Sequence, residues 1–152
     1  MKTALIRLHK TCAILAFLMI ASFFASTLIS ELLADKSTIS QVKQVIAYAV
    51  WFLIPLMALT GITGSKLAPN VKSGQGILGK KKKRMPIVAL NGLLILLPCA
   101  LYLNLLASQA HFNQAFYIAQ TIELIAGSIN LTLMAASIRD AIKIKPPVNA
   151  TR

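Results

Sequence analysis

Acidic side chains are nearly missing from this sequence: four Asp and Glu stand against 16 Lys and Arg, giving a formal net charge of +12. With so few carboxylates, the chain has little from which to build paired acids for acid–base catalysis or an oxygen cage for a hard cation. Histidine and cysteine are as scarce, at two each, and none falls at metal-ligand spacing. Charged residues of both signs make up only 13% of the 152 residues, against roughly 25% in ordinary soluble domains. Hydrophobic residues fill the gap at 57%, and mean hydropathy is +0.71.

The apolar residues are gathered into four runs, each long enough to cross a hydrocarbon core of ~30 Å. They predict an all-α, four-helix transmembrane bundle with short loops, its spans near residues 11–30, 45–63, 86–106 and 116–136 of a single membrane domain. The first run outlasts the apolar part of a secretory signal and has no good cleavage site after it, so it reads as a retained helix. The longest piece between spans, residues 64–85, is too short to form its own core. Any chemistry must therefore come from side chains in the bundle or at its rims.

Division by loop turns the large positive charge into an orientation signal. The N-terminal segment holds Lys2, Arg7 and Lys10; the middle loop holds Lys66, Lys72, Lys80, Lys81, Lys82, Lys83 and Arg84; the tail holds Arg139, Lys143, Lys145 and Arg152. Only Lys36 and Lys43 fall on the other side, with Glu31 and Asp35. The positive-inside rule then places both termini and the middle loop in the cytoplasm of a cell whose inner membrane holds the protein. Nucleic acid, the first partner a soluble chain of this charge would suggest, is not expected. The run Lys80, Lys81, Lys82, Lys83 and Arg84 is instead expected to contact anionic lipid headgroups or an anionic partner.

Within the spans, Ser22, Ser26 and Ser30 form a small-residue stripe expected to pack against a neighbouring helix. Pro55 and Pro98 lie near the centres of the second and third spans, where kinks either open a small cavity or only shape the packing. Tyr102, Phe112, Phe116 and Tyr117 gather at the outer ends of the last two helices as an aromatic belt, while Trp51 is deep enough to read as a packing residue. Cys12 and Cys99 differ in depth and are not expected to meet. His9 and His111 fall at opposite membrane faces, so one haem cannot bridge them; no cofactor is expected.

Glu123 is the residue that most asks for a function. It lies ~10 Å inside the outer boundary if the fourth span starts near Phe116, and an ionised carboxylate there costs a few kcal/mol unless it faces a partner. Gln120, Glu123, Gly127, Asn130 and Met134 recur at helical spacing and mark an inward polar stripe. Lys43 is the nearest cationic candidate for Glu123, although it can equally pair with Glu31 or reach the interface. Asn91 lies at the depth of Asn130 and is positioned to hydrogen-bond to it.

Gly74, Gly79 and Lys80 approach a phosphate-loop pattern, but Lys81 stands where Ser or Thr should bind magnesium and no strand precedes. The Asn130-Leu131-Thr132 and Asn149-Ala150-Thr151 sequons read as chance matches. The phrases Lys81-Lys82-Lys83-Arg84-Met85-Pro86, Ala89-Leu90-Asn91-Gly92-Leu93 and Glu123-Leu124-Ile125-Ala126-Gly127 with Asn130 resemble small four-span inner-membrane proteins of bacterial families that carry no assigned activity. The resemblance covers the last three helices.

These observations lead to a non-enzymatic protein. The first expectation is an accessory or scaffold subunit that meets a membrane-protein partner or a second copy of itself. The alternative is a small proton-coupled transporter or channel component using Glu123. A continuous, water-accessible cavity lined by Glu123 and Asn130 would favour transport, and a dry hydrogen-bonded seam would favour a structural role.

Overall fold

The computed structural model describes residues 2–67, 69–70 and 72–143, so Lys145, Arg152 and the Asn149 sequon lie outside the described residues. Within the described residues the chain is all α, built from α1 (Lys2–Leu33), α2 (Lys36–Leu67), α3 (Gly76–Asn91), α4 (Leu97–Ser108) and α5 (Gln114–Lys143). A π-helical segment, Gly92–Leu96, joins α3 to α4, so that Gly76–Ser108 runs as one long helix and the fold reads as four. All four are long and apolar enough to cross a membrane.

Each helix extends past the apolar window that marked it. Hydropathy registers only the lipid-compatible stretch, whereas Lys, Arg and Gln continue a helix well until a cap or turn stops it. The basic run Lys80–Arg84 therefore lies inside α3 and not in a loop, which corrects the expected boundary at residue 85. Asp35 starts α2: its Oδ1 accepts the Thr38 backbone N–H at 3.1 Å and also the Thr38 hydroxyl. Asn113 does the same for α5, accepting the Phe116 N–H at 3.1 Å.

Helix α4 ends in a Schellman turn, with His111 N–H donating to Leu106 O at 2.9 Å and Ala110 N–H to Ala107 O at 3.1 Å. Ala110 occupies the left-handed position of that turn, at φ 56°. Gly74 and Gly76, at φ 87° and 65°, serve the α2–α3 turn, which Gly74 N–H closes on Gly79 O at 2.8 Å. The glycines that resembled a phosphate loop are there for this turn.

The π segment has an identifiable cause. Pro98 has no N–H to give to the carbonyl one turn back, and just before it the Leu97 N–H reaches five residues back to Gly92 O. The helix widens there and continues as α4.

Two apolar layers hold the bundle. One joins Ile39, Leu103, Leu106, Ala107, Phe116 and Ala119; the other joins Ala16, Ile20, Val50 and Leu53, with Met57, Leu97 and Leu131 against them. Phe116 is fully buried in the first layer, which corrects its expected place in an aromatic belt, while Tyr102 and Tyr117 do face outward. Trp51 corrects the other way: it is 59% exposed on the outer side of α2 and packs in neither layer.

The buried stripe of α1 runs through His9, Cys12, Ala16, Ile20, Thr27 and Ser30. Of the expected serine stripe, only Ser30 is buried; Ser22 is exposed and donates to Leu18 O of its own helix at 2.8 Å. Steps of four residues drift by about 40° each around an α-helix, so a strict four-residue repeat winds off the contact face.

Candidate functional site

Between the two apolar layers lies a polar one. The Lys43 side chain is fully buried, and its Nζ donates to Glu123 Oε2 at 2.8 Å and to Thr27 Oγ1 at 3.3 Å. Gln120, one turn before Glu123 on α5, donates from Nε2 to the same carboxylate oxygen at 3.3 Å. Three helices thus meet on one ion pair: α1 through Thr27, α2 through Lys43 and α5 through Gln120 and Glu123. Lys43 goes to Glu123 rather than to the interface because its helix position points it into the bundle, where an unpaired ammonium would be far more costly.

Asn91 and Asn130 come together as their depth suggested. Asn91 Nδ2 donates to Asn130 Oδ1 at 2.8 Å and is also 2.8 Å from Ala126 O, while Asn130 Nδ2 reaches Val88 O at 3.4 Å. Asn130 is fully buried. This pair is a closed seam between α3 and α5. All five polar residues singled out in the spans therefore face the bundle, but in two groups, Lys43–Gln120–Glu123 and Asn91–Asn130.

A chamber of about 680 Å³ opens beside them. It follows α2 from Ile46 to Lys66, about 30 Å of helix, is lined on its other sides by Phe24 of α1, Leu93 of the π segment and Gly127 of α5, and is partly open at the surface, where Leu93 and Ile62 are half exposed. Ile54 and Leu97, each adjacent to a helix proline, line it, so of the two alternatives open at the prolines a cavity is the one found at that depth. Its walls are almost entirely apolar. Glu123 faces it near one end and Lys66 at the other, whereas Lys43 stands behind Glu123 and does not line it.

Gly127 keeps this space shaped: a Cβ there would come within 3.1 Å of the Phe24 ring. π-Segments inside α-helices gather at functional sites, and this one forms part of the chamber wall.

Several polar contacts were not visible in the sequence. Thr27 joins the ion pair, and Glu31, one turn further along α1, has its Oε1 buried with no hydrogen-bond partner among the described residues. His9 Nδ1 lies 3.1 Å from Thr60 O and 3.0 Å from Thr63 Oγ1, with Lys81 Nζ 3.5 Å from Nε2. These fit one tautomer: Nδ1–H donates to α2 and Nε2 accepts from Lys81. Arg84 Nη1 pairs with Asp140 Oδ2 at 2.7 Å, tying α3 to α5. Helical spacing flags such residues only once it is known which helices are neighbours.

The basic run is divided by its helical register. Lys81 and Arg84 turn inward to His9 and Asp140, and Lys82 donates to Pro69 O at 3.3 Å. Lys80 and Lys83 are exposed.

Comparison with protein-family models, with curated proteins and with solved structures finds no match for this chain.

Proposed function

We propose that this protein is a multi-pass inner-membrane protein, N-in and C-in, and a small proton-coupled carrier or carrier component for lipophilic cations. The membrane reading is supported by an inside-out distribution of side chains. His9, Lys43, Gln120 and Asn130 are buried, while Leu33, Trp51 and Phe52 are 83%, 59% and 73% exposed. Water would penalise so much exposed apolar surface, and lipid does not. The orientation rests on the loop distribution of Lys and Arg. The proposed role is non-enzymatic.

One observation carries the carrier reading. Glu123 is tied to a fully buried lysine and at the same time forms part of the wall of the chamber. A purely structural ion pair gains from being sealed on every side; this one leaves its acid open to a guest. An apolar chamber of this size suits a drug-sized ligand; the Glu123 carboxylate favours a positive group at its end, with Lys66 standing at the opposite end.

The test is uptake of tetraphenylphosphonium into proteoliposomes under an imposed pH gradient. Uptake driven by the gradient and abolished by Glu123→Gln is expected; gradient-driven uptake unchanged in that variant sinks the proposal.

A second reading, the accessory subunit, draws on a different surface. Tyr48, Trp51 and Phe52 lie at helical spacing on the outer side of α2, each more than half exposed. Such a stripe fits a partner helix or a second copy of the chain, and exposed Lys80 and Lys83 fit anionic headgroups. A protein that purifies from gentle detergent as a lone monomer would remove this reading.

A further inference from the structure

The ion pair has a donor deficit. Around Lys43 and Glu123, two buried acceptors, Glu31 Oε1 and Gln120 Oε1, have no hydrogen-bond partner among the described residues. Gln120 is only 4% exposed, and its amide nitrogen is already committed to Glu123. Turning that amide over would set its oxygen against the carboxylate, so the orphan acceptor cannot be relieved that way. An unmet buried acceptor costs about 1–3 kcal/mol, and more when it is charged.

Charge makes the same point. Glu31 lies within electrostatic reach of both Lys43 and Glu123. With all three ionised the cluster carries two negative charges and one positive. The groups that face it are Thr27 and Glu31 from α1, Lys43 from α2, the Cys99 thiol from α4, which lies in the field of Glu123 and Lys43, and Gln120 with Glu123 from α5. None of these supplies a second cation. A proton on Glu31 removes the charge from an orphan acceptor and brings the cluster to zero net charge.

We infer that Glu31 carries the exchangeable proton of this cluster. When protonated, it leaves Lys43 and Glu123 as a neutral closed pair. When its proton returns to water, the cluster gains one negative charge, which a cationic guest in the chamber can neutralise beside Glu123. Proton and guest then compete for one unit of charge, as antiport requires. The assignment deepens the carrier reading and rests on it for the guest, but the protonation of Glu31 is measurable without any transport.

The experiment is infrared spectroscopy of the purified full chain from about pH 5 to pH 9, above the ordinary glutamate range and up to that of strongly desolvated carboxyls. A protonated carboxyl band that disappears on deprotonation is expected, shifted in frequency in Glu31→Asp and unshifted in Glu123→Asp, both of which keep the charge of the cluster. Glu31→Gln mimics the neutral form and should fold; Glu31→Asp, which keeps the acid, should move the midpoint of the band. Tetraphenylphosphonium binding by the unaltered protein should weaken about tenfold for each pH unit below that midpoint, one proton being exchanged per cation. In Glu31→Gln it should lose its pH dependence.

A band shifted in Glu123→Asp and not in Glu31→Asp would move the proton to Glu123, overturning this assignment and leaving the carrier reading intact. No titrating carboxyl in the interval would overturn the assignment as well. Gradient-driven uptake unaffected by Glu123→Gln is the separate result that removes the carrier.

Discussion

Lys43 and Glu123 are 80 residues apart in the chain, yet their charged atoms lie 2.8 Å apart in a layer that has apolar packing on either side. The lysine is completely buried and the glutamate nearly so. Removing one partner strands the other, a loss of about 3–5 kcal/mol for a buried pair. Lys43→Met should therefore destabilise the protein by about that much, and Lys43→Met with Glu123→Met should recover most of it. Reversible unfolding in mixed micelles measures both; a double variant no more stable than the single one would contradict the pairing.

The Asn91–Asn130 seam should matter less. Hydrogen bonds between helices in lipid contribute about 0.6 kcal/mol on average and up to about 1.7. A double-mutant cycle of Asn91→Ala and Asn130→Ala is expected to give a coupling energy in that range. Zero coupling would mean the two side chains do not meet.

Gly127 and Gly61 both face the chamber but differ in the space around them. A Cβ at Gly127 approaches the Phe24 ring to 3.1 Å, whereas one at Gly61 meets nothing within 4 Å. Gly127→Val should displace Phe24 into the chamber and weaken tetraphenylphosphonium binding several-fold. Gly61→Ala should leave both binding and stability close to the starting protein, as the comparison of binding isotherms will show.

Ala110 is held at φ 56°, a conformation that costs an L-residue roughly 1–2 kcal/mol. Ala110→Gly should raise stability by about 1 kcal/mol, somewhat less than the full relief because glycine loses more backbone entropy on folding. A lowered unfolding temperature would argue against the Schellman turn.

Asp35 lies outside the spans, and its hydrogen bond from the Thr38 hydroxyl, together with that from the Thr38 N–H, holds its carboxyl below the ordinary value of 3.8. A depressed acid stabilises the fold fully above its ordinary pKa. That contribution is lost as pH falls below 3.8 and through the lowered native value. Hydrogen exchange at the Thr38 amide should accelerate in this acid window relative to neighbouring amides, and Asp35→Asn should flatten the dependence.

Much of the architecture was legible because a bilayer-length apolar run has few alternatives. Four such runs give four helices, and the loop charges suggest their orientation. The polar residues of α5 were legible too, since Gln120, Glu123 and Asn130 recur at helical spacing where lipid would demand Leu. Less was legible at the helix ends, where Lys80–Arg84 continued α3 because helix formation does not require apolarity. Phe116 and Trp51 exchanged their expected roles because depth along a helix says nothing about which side faces the bundle.

The sequence by itself determined the number of helices, their apolar character and the isolation of Glu123 as an acid among apolar neighbours; these follow from composition and from the 3.6-residue period along one chain. Tertiary structure alone decided that Lys43 reaches Glu123, that Glu31 and Gln120 leave two acceptors unmet beside them, and that a chamber opens at the carboxylate. Each of these depends on how one helix is rotated against another. That rotation is set by side-chain packing across the whole bundle, and no local spacing encodes it.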